Sequence, residues 1–293
     1  MHESYLEAAN PNAAKAFPYL VRETAYGESL TFDPAFHVMH WHDDLQFLYA
    51  ADGVIDVQTL REHVTVQRGE GIFINKDVVH CIEAGKDAHY YSFLYPANQL
   101  RFLPGSPAND DLAAVLDGDA LPLCQLTEAT EWEHHALALL RELLQFTTER
   151  PAAYALNVLV RLLALVLLLR EHAPLAPAKA DDVNAIRTKQ VLQYIAAHYA
   201  EDITLDDLAQ SSACSKSACL RAFRLLMKTT PYKYLIEYRL EQAALLLRQT
   251  SDPIGAIAED VGFHHFSLFG KSFKQKTGMT PKDYRAAHAA AIS

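Results

Sequence analysis

The C-terminal third of the chain says nearly the same thing twice, and a duplication of that size constrains the architecture before any finer reading. Shifted by 50 residues, Ser217 falls on Ser267, Arg221 on Lys271, Phe223 on Phe273 and Arg224 on Lys274. Thr230-Pro231 with Tyr234 falls on Thr280-Pro281 with Tyr284. The punctuation repeats as well. Thr204 with Asp207 is a capping-box start for a short helix over 205–211, Ser212-Ala213-Cys214 is a turn, and Ser215 caps a helix to about Met227. In the second copy Asp252 caps, Pro253 takes the first helical position, and a short helix runs over 254–261. Gly262 then turns the chain into a helix that starts at His264 or His265 and reaches Thr277. A helix over 183–199 leads in, and Thr230-Pro231 opens a long helix over 232–249 that joins the copies. Short helix, tight turn, capped second helix is the helix-turn-helix plan.

Charge separates DNA binding from a plain helical bundle. The net charge is −10, but residues 1–180 hold 12 Lys+Arg against 24 Asp+Glu, while residues 181–293 hold 14 against 12. An acidic half that repels DNA therefore hides a half that tolerates it. From Leu208 to Ile236 there are Lys216, Arg221, Arg224, Lys228 and Lys233 with no acid; from Val261 to Lys282 there are Lys271, Lys274, Lys276 and Lys282, again with none. The acids Asp206, Asp207, Glu259 and Asp260 sit on the short first helices. Two acid-free basic windows on the second helices suit phosphate contact.

On these motifs, residues 183–285 resemble the DNA-binding domain of the AraC/XylS family of transcriptional regulators. The signature of its second motif stands as Ile257-Ala258, Val261-Gly262-Phe263, Ser267, Phe269, Phe273-Lys274, Gly278-Met279-Thr280-Pro281 and Tyr284-Arg285. The resemblance implies that Cys219, Phe223, Phe269 and Phe273 pack inward. It implies that Ser217, Leu220 and Arg221 in the first helix, and His265, Phe266, Ser267, Gly270 and Lys271 in the second, face double-stranded DNA. Arg221 is the best base reader, since a guanidinium bonds a guanine edge bidentately, and Lys271 is second. Arg224, Lys228, Lys274 and Lys276 suit phosphates, which position without specifying. Leu220 and Gly270 depart from the polar residues expected of readers.

The first half reads differently. From about Thr31 to Tyr95, short β-branched and aromatic runs alternate with Asp-Gly, Arg-Gly and Asn-Lys-Asp turns, which predicts a barrel or jelly roll. His40-Trp41-His42, Gln46, Gly53, Gly69-Glu70-Gly71 and His80 resemble the two motifs of the cupin barrel. Alternate strand residues point the same way, so His40 and His42 can converge with His80 on one divalent metal. Gln46 stands where metal-binding cupins have a carboxylate, and a neutral amide is a poorer ligand. Two readings follow: a metal site of His40, His42 and His80, or histidines that line an effector pocket or hydrogen-bond inside the barrel. Trp41, Tyr49, Phe47, Phe73 and Tyr91 suit sugar stacking as well as plain core. Residues 104–126 read as loop with a short helix. Helices follow at 130–148 and from Pro151 through Leu169; the second is apolar around most of its circumference and suits packing on its own barrel or a dimer interface.

The expectation is an α+β chain of two domains. Residues 1–172 form a cupin-like β-barrel with two helices that senses ligand and dimerises; 173–182 is a Pro-rich linker; 183–293 is an all-α double helix-turn-helix. The four cysteines, Cys81, Cys124, Cys214 and Cys219, are scattered and no secretory start is present, which reads as reduced thiols in a cytoplasmic protein. The apolar run 154–169 carries Asn157 and Arg161 and is short for a membrane span. The function expected is a ligand-responsive homodimeric regulator of transcription. The resemblance makes activation, with RNA polymerase as partner, the commoner outcome, and repression stays open. The competing class is a metal-dependent cupin enzyme with an attached DNA-binding module; the first reading carries no catalytic residues and no obligatory cofactor.

Overall fold

A computed structural model of the chain describes residues 10, 12, 15–25, 28–29, 39–85, 87–117, 120–175 and 183–288. Two compact units divide between residues 181 and 182. Of the expected linker, residues 176–182 lie outside the described residues.

Among the described residues the first unit has nine antiparallel strands: β1 (Leu20–Ala25), β2 (Glu28–Ser29), β3 (Asp44–Asp52), β4 (Ile55–Thr59), β5 (His63–Val66), β6 (Gly71–Ile74), β7 (His80–Ala84), β8 (His89–Pro96) and β9 (Leu123–Leu126). They form a six-stranded sheet in the order β2-β1-β8-β3-β6-β9 and a three-stranded sheet in the order β5-β4-β7. The cupin-like strand set is thus shared between two sheets rather than one closed cylinder, and an isolated bridge pairs His40 with His80. β1, β2, β7 and β9 are additions to the runs read as strands from sequence, which correspond to β3, β4, β5, β6 and β8.

Strand register assigns each face of the large sheet. One ladder runs Val21, Phe93, Phe47, Phe73, Cys124 across β1, β8, β3, β6 and β9. This apolar face is covered by α2 (Glu131–Glu149) and α3 (Tyr154–His172), through Leu137, Leu140, Val158 and Leu162 in one shared core. Full burial of each such side chain stabilises the fold by about 1.5–3 kcal/mol. Gly71 sits under this packing: a Cβ there would meet Leu140 Cδ1 at 2.9 Å and Leu48 O at 2.8 Å. The alternate ladders put Gln46, Ser92 and Arg22 on the opposite face. A short α1 (Ala108–Leu116) precedes β9, as the loop-with-helix reading had it. α3 starts at Tyr154 rather than Pro151 because Ala153, at φ 56°, is left-handed and caps the helix.

Among the described residues the second unit holds helices and no strand: α4 (Val183–His198), α5 (Leu205–Ser211), α6 (Lys216–Met227), α7 (Pro231–Gln249), α8 (Ile254–Asp260), α9 (Phe266–Thr277) and α10 (Pro281–His288). Among the described residues, no helix of either unit is long and apolar enough to cross a membrane.

Candidate DNA interface and sensor interior

The two copies of the repeat fold alike because their left-handed helix ends and aromatic locks are alike, although their N-caps differ. Thr204 and Asp207 form a reciprocal capping box at α5, and the Ser215 hydroxyl accepts from the Ala218 amide at α6. Pro253 caps α8 instead of occupying its first turn, and His265, extended and without a side-chain cap bond, precedes α9. Both second helices are 12 residues long and end on a left-handed residue, Lys228 at φ 54° and Gly278 at φ 76°. Behind each stands the same edge-on aromatic pair: Phe223 with Tyr234 at 5.7 Å, and Phe273 with Tyr284 at 5.3 Å between ring centroids. Such pairs contribute about 0.5–1.5 kcal/mol beyond burial.

These locks fix which way the helices face. Cys219, Ala222 and Phe223 on α6 and Phe269 and Phe273 on α9 are buried. At 3.6 residues per turn the opposite stripe of α6 is Ser217, Arg221, Arg224 and Lys228, spaced i, i+4, i+7, i+11, and all four are exposed. The matching stripe of α9 is Ser267, Lys271 and Lys274, also exposed. Lys228 reaches back to the Leu225 carbonyl at 2.7 Å, so it satisfies the helix end while holding its charge there. Leu220 is half-buried at the edge of the α6 stripe, whereas His265 and Phe266 are exposed at the α9 N-terminus, where positive partial charge favours a phosphate. Three lysines of the basic windows have other work, Lys233 in a looser pair with Glu237 at 3.9 Å. Lys276 pairs at 2.6 Å with the buried Glu241 of α7, and Lys216 pairs at 2.6 Å with Asp206 of α5.

In the sensor unit His40, His42 and His80 come together, fully buried, with ring nitrogens within 4.8 Å of one another. His40 and His42 converge as expected, although they precede β3 rather than lying in it. Gln46 reaches both partners: its Oε1 is 3.0 Å from His42 Nε2 and 3.1 Å from His80 Nε2, and its Nε2 donates to Ser92 Oγ at 3.1 Å. The two Nδ1 atoms face the carbonyls of Asp44 and Val78, each at 2.8 Å. A carbonyl only accepts, so both rings carry their proton on Nδ1 and present a lone pair at Nε2. Burial lowers the pKa of His42, and burial with the neighbouring His40 and His42 holds His80 well below its usual value. Both rings are therefore neutral.

This arrangement suits two occupancies. Nε2 lone pairs with Nδ1 tied to carbonyls are what a metal ligand presents, and the Gln46 oxygen completes a neutral donor set. Alternatively, the amide turned through 180° gives one N–H to His42 Nε2 and one to His80 Nε2 and accepts from the Ser92 hydroxyl, satisfying those groups without an ion. Ser92 and the buried Arg22, unremarked in the sequence, share this face; the Tyr90-Tyr91-Ser92-Phe93 alternation was the signal for Ser92. Tyr49 stands on the other face, where Arg141 donates to its hydroxyl at 3.2 Å and lies over its ring. Trp41 is buried but joins none of these hydrogen bonds among the described residues.

Comparison with known proteins covers both units. Residues 26–165 match the model of the AraC-like ligand binding domain and residues 208–287 that of a helix-turn-helix domain, together about three quarters of the chain. The HTH-type transcriptional regulator YdeC of Bacillus subtilis is 28% identical over 255 residues, which are 84% of this chain and 85% of that protein. The HTH-type transcriptional activator RhaS of Escherichia fergusonii is 24% identical over 79% of this chain and 87% of its own length. Among solved structures, unsaturated fatty acid-bound ToxT of Vibrio cholerae aligns over 93% of this chain and 96% of that one, at 12% identity and a TM-score of 0.49. With a ligand-binding domain before a doubled helix-turn-helix, this chain belongs to the AraC/XylS family of transcriptional regulators.

Proposed function

We propose that the protein works as a cytoplasmic homodimer that inserts α6 and α9 into two successive major-groove segments of double-stranded DNA and couples that grip to a small polar effector in the sensor interior. The observation that carries the proposal is the pair of outward stripes: Ser217, Arg221, Arg224, Lys228 and Ser267, Lys271, Lys274 stand at matching helical positions, opposite matching aromatic locks. The connecting α7, 19 residues, is about 28 Å long at about 1.5 Å per residue. Successive major-groove segments are about 34 Å apart, so a bend of the duplex toward the protein brings both within reach.

Other features support the remaining parts. On α3 the residues Leu156, Val160 and Leu167 are exposed at 64%, 50% and 54% opposite the buried Val158, Leu162 and Leu169, which suits a helical face shared by two copies. The sensor interior offers imidazole, amide and hydroxyl groups beside Arg22, which suits a polar effector such as a sugar more than an apolar one. Binding rather than metal-dependent catalysis fits the cluster, because Gln46 stands where metal-binding cupins have a carboxylate and a neutral amide is a poorer ligand. Activation, with RNA polymerase as the partner, follows the RhaS relative, which is named as an activator. The test is fluorescence anisotropy of the full chain on DNA from upstream of its own coding region, with and without candidate polyols. Saturable, salt-dependent binding with a sequence preference is expected; binding indifferent to sequence would refute the reader assignment.

A further inference from the structure

Arg239 lies on α7, the helix between the two DNA-contacting modules, and none of the DNA-facing positions requires it. Its side chain is buried, at 7% exposure. Nε donates to Tyr199 O at 2.6 Å, Nη2 to Glu201 O at 2.7 Å and Nη1 to Gly262 O at 2.7 Å. Tyr199 and Glu201 follow the C-terminus of α4, which packs with the first module; Gly262 follows the C-terminus of α8, in the turn of the second. Carbonyls in the turns just past a helix C-terminus sit in its negative partial charge, so one guanidinium answers two such turns at once. A planar fork with fixed N–H directions also sets angles, which a lysine ammonium cannot do. Burial draws its pKa down, yet a guanidinium stays charged at any physiological pH.

Gly262 is shaped to this fork. Its φ is +86°, and a Cβ there would come within 2.8 Å of Arg239 Cζ and 2.9 Å of its Nε. The glycine is thus needed both for the left-handed turn and for the approach of the guanidinium. A neighbouring contact spans the same seam: His264, just before α9, is 2.8 Å from Asp202, next to Glu201.

We propose that Arg239 is a positioning residue that fixes the orientation of α9 relative to α6, and so sets the spacing between the two DNA segments the protein accepts. Without the fork, each module keeps its own caps, aromatic lock and outward stripe, but the angle between the modules is no longer held at the α4–α8 seam. The affinity for one segment is then preserved while discrimination between spacings is lost.

The experiment uses the full chain and the DNA it selects from a random pool. Variants of that DNA carry insertions of one to three base pairs between the two contacted segments, each turning one segment about 34° relative to the other. Wild type is expected to lose at least tenfold in affinity at two inserted base pairs. Arg239→Met is expected to keep its affinity for a single segment within about threefold and to show a spacing penalty below about threefold. Arg239→Lys should fall between. Gly262→Ala should mimic Arg239→Met, and the double variant should add nothing further to the lost penalty. Should Arg239→Met fail to fold, the Lys and Gly262→Ala variants carry the same comparison. A folded variant with the wild-type spacing penalty overturns the proposal, as does equal loss on single-segment and two-segment DNA. The inference rests on the DNA-binding reading: wild-type protein that selects no sequence overturns both, whereas sequence-selective wild type with variants that keep its full spacing penalty overturns the clamp alone.

Discussion

Replacing Arg221 and Lys274 separately with alanine discriminates a base reader from a phosphate contact on neighbouring helices. Both side chains are exposed, neither makes an ion pair within the chain among the described residues, and neither touches the aromatic locks, so both variants should fold as wild type. The outward stripes hold Arg221, Arg224, Lys228, Lys271 and Lys274. If each neutralises one phosphate, log K falls against log salt with a slope of about −4.5 per chain. Lys274→Ala removes about 0.9 of that slope. Between 50 and 200 mM salt, a fourfold change, its deficit relative to wild type should shrink by about 3.5-fold, on specific and non-specific DNA alike. Arg221→Ala should instead lose about 1–3 kcal/mol on the preferred sequence, roughly 5- to 150-fold, with a much smaller loss on unrelated DNA. Fluorescence anisotropy titrations on both DNAs at four salt concentrations measure all of this. If the two variants lose the same factor on both DNAs, Arg221 does not read a base and the stripe is a phosphate clamp throughout.

Two further outcomes follow from buried charge. Lys276→Met removes the 2.6 Å ion pair to the buried Glu241, and since Lys276 keeps 27% side-chain exposure the cost should be about 1–3 kcal/mol, read as a lower urea midpoint of the DNA-binding unit. Wild-type stability in that variant would show the pair to be incidental. His42 and His80 are neutral in the fold with lowered pKa values, so as pH falls below about 6.5 the unfolded chain takes up protons that the fold refuses. Stability of the sensor unit should therefore be flat above about pH 6.5. Below that it should fall by up to about 1.4 kcal/mol per pH unit for each histidine; a melting temperature unchanged between pH 7.5 and 5.5 would contradict neutral, buried rings.

What could be read without a structure followed sequence distance. The helix-turn-helix copies were legible because caps, Thr-Pro openings and aromatic locks act within a few residues, and α5, α6 and α7 lie within a residue of their expected bounds. β9, the four residues Leu-Cys-Gln-Leu between turn-rich stretches, was not, because so short a strand shows no period until β6 is found beside it. Tyr49 suits sugar stacking by residue type, yet odd and even positions of β3 face opposite sides, and register puts it away from Gln46 and the histidines. Lys276 stood in an acid-free window, but Glu241 reaches it from the preceding long helix, a pairing that local counting cannot see. Arg239 escaped for the same reason: its three acceptors are backbone atoms from two distant turns.

Gly270 has a bearing on how such a protein changes its targets. It sits mid-way along α9 beside the outward stripe, and a Cβ built there meets nothing within 4 Å. Glycine in a helix interior costs about 1 kcal/mol relative to alanine, so a first substitution there would firm the helix as it adds a group facing the groove. At the matching position of α6 stands Leu220, half-buried and already committed to its surroundings. The second module thus keeps a vacant letter in its alphabet, where one codon change can write a new preference without redrafting the core beneath it.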